Sequence, residues 1–206
     1  MSTSLAEKGV RIMIEIEIKA MLDTQVSSEI LESATDLGFE VCWRGVEEDV
    51  YYNGNDRDFR QTDEALRIRT QRTLAPAIST TTLITYKGPK EVGPTQSRTE
   101  LETAVADDDV IRDILDQLGY PSVMTVRKTR IEFDGEYPYE GYHICLDRVD
   151  GLGEFIEIER VLPDDATEAD KTAATEAIFA LLALLGVPAY EIVEKTYLEM
   201  LLQQEE

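Results

Sequence analysis

The sequence predicts an α+β fold: a closed, eight-stranded antiparallel β-barrel with helices packed outside it. Three observations carry that expectation. Residues 14–19 read Ile-Glu-Ile-Glu-Ile-Lys. On a pleated strand this alternation puts Glu15, Glu17 and Lys19 on one face and Ile14, Ile16 and Ile18 on the other. About eight such runs follow one another along the chain, broken by turn residues and by three or four helical patterns. Finally, seven of the twenty Lys and Arg residues fall on strand faces: Lys19, Arg67, Arg69, Lys87, Arg98, Lys128 and Arg130. A barrel with those charges inside and its aliphatic faces outside, under helices, accounts for all three.

The elements follow in order. Residues 1–12 read as a lead-in, and 13–206 as one domain, because no stretch has a linker's composition. After the first strand, Asp23–Leu37 has helical spacing (Val26, Ile30, Leu31, Ala34, Leu37) and stops at Gly38. Val41–Tyr52 is strand-like and ends at the turn Asn53-Gly54. Ala65–Arg72 is a strand, 73–82 a loop or extended hairpin tip, and Leu83–Lys87 a strand closed by Gly88-Pro89. Residues 90–96 connect to the strand-like Arg98–Val105. Asp107, Asp108 and Asp109 open a helix through Leu118. Acids there suit the macrodipole, so the triplet reads as a cap and not a metal site. Val123–Phe133 and Tyr142–Val149 pair around a turn-rich 134–141, and Gly151-Leu152-Gly153 leads into Glu154–Val161. Thr167–Leu185 is the strongest helix, and Ala189–Leu202 is read as the last.

Composition narrows the classes. At 43% hydrophobic the 206-residue chain can bury a core, while 42 acids against 20 bases give a net charge of −22. Such a field repels nucleic acid and anionic membranes, so neither is expected as a partner. The acidity, with 13 Arg to 7 Lys, suits a halophile, whose salty cytoplasm screens the repulsion. Cys42 and Cys145 read as two buried free thiols of a reduced cytoplasm. A single histidine, His143, rules out a multi-histidine metal site and fits a Ser-His-Asp triad poorly. Residues 1–12 lack the apolar stretch of a signal peptide. The longest apolar run, Ala177–Leu185, is too short to cross a bilayer. A soluble, cytoplasmic protein is expected.

One polar face is ordinary for any single antiparallel strand, since outer faces meet water. The set is harder to explain that way. Arg67 and Arg69 share a face, as do Lys128 and Arg130, Glu157 and Glu159, and the row Arg98, Glu100, Glu102. An acidic surface gives no reason to place scarce bases there. Turned inward, these charges need water or a ligand, because unpaired buried charge is prohibitively costly. Carboxylates hold hard cations and Arg and Lys bind oxyanions, so a polyphosphate with Mg²⁺ or Mn²⁺ satisfies both signs.

Six segments in order carry a family resemblance: Glu15-x-Glu17-x-Lys19; Ala65-Leu66-Arg67-Ile68-Arg69; Thr85-Tyr86-Lys87-Gly88-Pro89; Ser97-Arg98-Thr99-Glu100-Leu101-Glu102; Val126-Arg127-Lys128-Thr129-Arg130; and Leu146-Asp147-x-Val149-x-Gly151-Leu152-Gly153-x-Phe155-x-Glu157-x-Glu159. From about Met13 to Leu202 the chain resembles the CYTH superfamily, the triphosphate tunnel metalloenzymes. Its last motif is especially similar to the class IV adenylate cyclase branch. The resemblance implies Glu15, Glu17 and Glu157 as principal metal ligands, supported by Glu159 and Asp147. Lys19, Arg67, Arg69, Lys87, Arg98, Lys128 and Arg130 would grip the triphosphate, and Glu15, Glu17 and Lys19 form the catalytic motif. Glu100 and Glu102 would orient the bases. Tyr51 and Tyr52 fall where related triphosphatases place a tyrosine near the reacting water, although core packing is the commoner role. Lys195 resembles a basic residue that covers the tunnel mouth, or lies on a plain helix surface.

The reaction implied is ATP to cyclic AMP and pyrophosphate. Alternatives are an inorganic, thiamine or nucleoside triphosphatase, or a non-catalytic sensor of nucleotide or polyphosphate. A homodimer is also suggested by relatives. The longer N-terminal extension, the enlarged 73–82 loop and the absence of a His-Phe pair near the first motif depart from the cyclase pattern.

Overall fold

The first strand announces the architecture. Its isoleucines must leave water and its glutamates must not, so the sheet needs one apolar and one wet face. In the structure, a computed structural model that describes residues 13–89, 100–163 and 165–205, that sheet has eight antiparallel strands. They are β1 Met13–Leu22, β2 Phe39–Tyr52, β3 Ala65–Ala75, β4 Ser79–Lys87, β5 Glu100–Val105, β6 Ser122–Gly135, β7 Tyr142–Val149 and β8 Gly153–Pro163. Their order is β1-β8-β7-β6-β2-β3-β4-β5. Laid flat, seven spacings would hold β1 and β5 roughly 30 Å apart. Instead the charges of Glu100 and Glu102 on β5 act on Glu15 of β1. The sheet is therefore curled until its two edges face each other, and side-chain charges span the seam.

Burial fixes which face is outside. Ile14, Ile16, Ala20 and Leu22 of β1, with Ile144, Leu146, Ile156 and Ile158, form the main core on the convex face. Two helices cover it: α1 Thr24–Asp36 through Ile30 and Ala34, and α4 Glu168–Leu184 through Ala174, Ile178, Leu181 and Leu182. Each such buried aliphatic contributes about 1.5–3 kcal/mol. A second outer cluster joins Tyr52, Leu66 and Ile68 to Phe59 of the short α2 (Phe59–Thr62) and Leu115 of α3 (Asp108–Gln117). Asp107 caps α3, its side chain accepting from Val110 N, with Asp108 and Asp109 in the first turn, as the sequence indicated. Thr167 caps α4 in a full capping box. Among the described residues no helix is long and apolar enough to cross a membrane.

Several boundaries differ from the sequence reading. The 73–82 segment is the tip of the β3–β4 hairpin, with β3 running on to Ala75 and β4 starting at Ser79. The expected last helix is broken in two: a 3₁₀ turn at Ala189–Glu191, then α5 Tyr197–Gln204. Helix is lost where the chain meets the free edge of β1. Ile192 bridges to Ala20, and Val193 N donates to Lys19 O at 2.9 Å. Both cysteines are free, but only Cys145 is buried; Cys42 is exposed, at the bulge between Val41 and Trp43 in β2. Gly45 sits beside a second irregularity, and a Cβ there would lie 2.4 Å from the Trp43 ring and 2.5 Å from Arg72 O. The lead-in 1–12, the connection 90–96 and Arg98 lie outside the described residues.

Candidate active site

The inner wall of the curled sheet is where pleat parity sends the charges. On β1 the odd residues face in, and on β8 Glu157 and Glu159 lie opposite Lys19 and Glu17. On β6 it is Lys128 and Arg130, opposite Val149 and Asp147 of β7. On β2 and β3 the pairs are Glu47 with Gln71, Asp49 with Arg69, and Tyr51 with Arg67. β4 and β5 add Lys87 with Glu100 and Thr85 with Glu102.

These groups join into an alternating belt. Lys19 Nζ lies 3.6 Å from Glu17 and 3.1 Å from Glu157. Glu157 also pairs with Arg130. Arg130 donates from Nε and Nη2 to the two oxygens of Asp147 at 2.6 and 2.5 Å. Lys128 bridges Asp147 (3.5 Å) and Glu47 (3.1 Å). Arg69 bridges Glu47 (3.3 Å) and Asp49 (2.6 Å), and Arg67 reaches Asp49 at 3.4 Å. Five carboxylates thus alternate with five bases from β1 round to β3. Buried charge persists only when paired, and here pairing is unusually complete: Glu47, Asp49, Lys128 and Asp147 are each no more than 5% exposed. Although burial opposes it, Lys128 and Arg69 hold the Glu47 carboxyl well below the usual range. For Glu157, Arg130, Lys128 and Lys19 do the same against burial. The wall keeps one open donor, since buried Arg67 Nε has no hydrogen-bond partner among the described residues.

The carboxylates at the β1 end of the belt and just beyond it behave differently. The charge of Glu157, then burial, raises the Glu17 pKa. Burial, then Glu100, raises that of Glu15. Burial, then Glu15 and Glu17, pushes Glu159 up to about 7. Uncompensated negative charge therefore collects where β1 meets β8. The Glu17 side chain is 45% open to water, so the hollow is wet and repulsion here is screened. Mutually repelling carboxylates without other ligand types fit a hard divalent cation in kind. Among the described residues no three of them are yet drawn together at ligating distance, and Glu157 is held back by Lys19 and Arg130.

Of the residues singled out from sequence, Glu15, Glu17, Lys19, Arg67, Arg69, Lys87, Lys128, Arg130, Asp147, Glu157 and Glu159 all lie on this inner wall. Glu102 accepts from Thr85 Oγ1 at 2.7 Å, and Glu100 pairs with Lys87 at 2.8 Å. Tyr52 belongs to the outer core, whereas Tyr51 faces inward opposite Arg67. Lys195 sits on the surface, donating to Gln203 Oε1 at 2.8 Å. Sequence reasoning missed Glu47, Asp49 and Tyr197. Glu47 and Asp49 alternate correctly, but the intervening Glu48 hides the pattern; it faces out to Arg127. Tyr197 enters from α5, its hydroxyl donating to Asp147 Oδ2 at 2.9 Å.

Comparison with known proteins agrees with this geometry. A family model described as the CYTH domain matches residues 13–197. Over 188 residues the chain is 37% identical to a candidate adenylate cyclase of Methanocaldococcus jannaschii, spanning 91% of this chain and 98% of that one. A solved Pyrococcus horikoshii structure superposes with a TM-score of 0.77 at 36% identity, over 92% of this chain and 99% of the other. A Hippeastrum protein, a candidate adenylyl cyclase with a dominant triphosphatase activity, shares the fold at a TM-score of 0.60 and 14% identity, over 93% and 96%. With a tunnel-like curled sheet, its charges within, and a family match spanning nearly all of it, the chain belongs to the CYTH domain family.

Proposed function

We propose that this protein is a metal-dependent enzyme acting on a triphosphate, with ATP converted to cyclic AMP and pyrophosphate as its leading reaction. The observation that carries the reading is the continuous belt of paired charges lying beside an uncompensated acidic cluster. A polyphosphate brings oxyanions to the bases and a divalent cation to the acids, so one ligand answers both.

The exchange has a definite order of contacts. Phosphate oxygens compete with Glu157 and Asp147 for Lys19, Lys128 and Arg130, and with Asp49 for Arg67, whose Nε is already open. Glu15, Glu17, Glu157 and Glu159, with Asp147 in support, would hold Mg²⁺ or Mn²⁺, Glu157 becoming available as phosphate draws Lys19 and Arg130 away from it. When bound, that cation supplies Lewis-acid activation of the attacking hydroxyl. The chain's own part is alignment and charge: the ribose 3′-oxygen is held in line with the α-phosphorus, and the bases neutralise charge growing on the departing pyrophosphate. Candidate-cyclase status of the 37% identical relative supports this reaction first. A triphosphatase is the second reading, favoured by Tyr51. That residue lies on the inner wall opposite Arg67, and the Hippeastrum protein of this fold is described with a dominant triphosphatase activity.

The test is to incubate the protein with ATP, tripolyphosphate or thiamine triphosphate, plus Mg²⁺ or Mn²⁺, and resolve cyclic AMP, pyrophosphate and orthophosphate. Cyclic AMP with pyrophosphate is expected; orthophosphate from tripolyphosphate would select the second reading. Glu17→Gln should cut turnover at least about a hundredfold, because even groups that merely orient metal ligands are worth 10–100-fold. Full turnover in that variant, or in EDTA, would overturn the proposal.

A further inference from the structure

We infer that Tyr197 is a positioning residue for phosphate capture, holding the two lysines of the belt on the face of a single aromatic ring. This rests on the triphosphate reading above but assigns a role to a residue that reading does not use. Lys19 Nζ lies 4.5 Å from the Tyr197 ring centroid and Lys128 Nζ 5.5 Å from it. Both are inside the distance at which a ring quadrupole attracts a cation. The two lysines come from strands β1 and β6, which are not neighbours in the sheet, so no backbone ladder sets their separation directly. The ring does.

The ring is itself fixed on three sides. Its hydroxyl donates to Asp147 Oδ2 at 2.9 Å. Its edge meets Phe155 with centroids 5.0 Å apart at 63°. Val126 and Val149 complete an apolar cluster beneath it, with Met200 and Leu201 of α5 packed behind. A phenol keeps its proton at neutral pH, so it donates to Asp147 and adds no charge beside Glu157. A lysine's flexible stem carries substantial rotamer entropy. A ring that confines two ammonium groups beforehand removes part of that cost from phosphate binding.

The experiment measures binding of tripolyphosphate by calorimetry in EDTA, which needs no turnover and no metal. Tyr197→Phe keeps the ring and should bind within about threefold of the unmodified protein. Tyr197→Leu and Tyr197→Met keep an apolar floor without the ring, and should bind about tenfold more weakly, the scale of a partly desolvated cation–π pair. Adding Tyr197→Trp should restore or exceed the parent affinity. Equal affinity across Phe, Leu and Met, at thermal midpoints that show each is folded, would overturn the inference. Lys19→Gln and Lys128→Gln separate the levels. If they also bind tripolyphosphate normally, the triphosphate reading itself fails; if they lose binding while Tyr197→Leu does not, only the role of Tyr197 does.

Discussion

Replacing Glu159 with Gln should make this protein more stable at pH 8 while weakening its hold on a divalent cation. Burial, then the charges of Glu15 and Glu17, place the Glu159 pKa at about 7 against an ordinary 4.5. At 1.36 kcal/mol per unit the difference amounts to roughly 3 kcal/mol. The hollow is wet, so about half of that, ~1.5 kcal/mol, is expected after screening. The sign follows from proton binding. Between pH 4.5 and 7 the native state holds this proton and the unfolded chain does not, so native stability falls as pH rises through that window, and the full penalty stands above it. Gln carries no such penalty. Its thermal midpoint in EDTA, at fixed ionic strength, should exceed the parent's by about 3–6 °C at pH 8 and converge with it near pH 4. Mg²⁺ or Mn²⁺ should then raise the parent's midpoint more than the variant's, since only binding to the native state stabilises. Parallel pH profiles for the two proteins would refute the argument that carboxylates crowd at the β1–β8 junction.

Asp49→Asn should destabilise by about 3–5 kcal/mol in urea unfolding, because it leaves Arg67 buried without its counter-ion and Arg69 with Glu47 alone; a loss under 1 kcal/mol would mean the belt relaxes freely. Gly45→Ala forces a Cβ against Trp43 and the Arg72 carbonyl, and should cost about 1–3 kcal/mol as an overpacked site, read from the same urea curves. With a net charge of −22, the unfolding midpoint should rise from 0.1 to 2 M KCl, as the screening length shrinks from about 10 Å to under 3 Å. A midpoint that is flat or falling over that range would dismiss the expectation of a salt-adapted protein.

How far the sequence could be read depended on whether a residue's role was local. Alternation in Ile14–Lys19 is a property of one strand, and it correctly sorted β1 into an aliphatic outer face and a charged inner one. The cap at Asp107 is equally local, and was legible. Glu47 and Asp49 were not, because their meaning comes from Lys128 and Arg69 on two other strands. Within their own segment, Glu-Glu-Asp looks like a solvated run. The break at residues 192–196 was invisible for a similar reason: helix propensity there loses to backbone bonds with Lys19 and Ala20, more than 170 positions earlier. Tyr197 belongs to the same class. Its neighbours in sequence make an ordinary helix start, capped by Thr196, and only the fold carries its ring to Lys19 and Lys128.

Stability alone gives no reason for the belt. Most of the apolar core that holds this fold together lies on the convex side, under α1, α4 and α3, with one smaller cluster beside the belt under α5, and the rest of the concave side could also have been filled with aliphatic residues. Buried ion pairs commonly gain nothing over well-packed hydrophobic replacements, and often lose 1–4 kcal/mol to them. Five carboxylates and five bases lining one hollow are therefore a standing cost to the folded state. They also hold each base in place with a partner that a stronger oxyanion can displace, which a ligand-free wall of bases could not do without repelling itself apart. Lys87, the off-belt base, shows the same design, paired with Glu100 at the seam. If the proposed function holds, alternating signs let the hollow be assembled before its ligand arrives, and phosphate capture is an exchange of partners in place of the creation of new charge contacts.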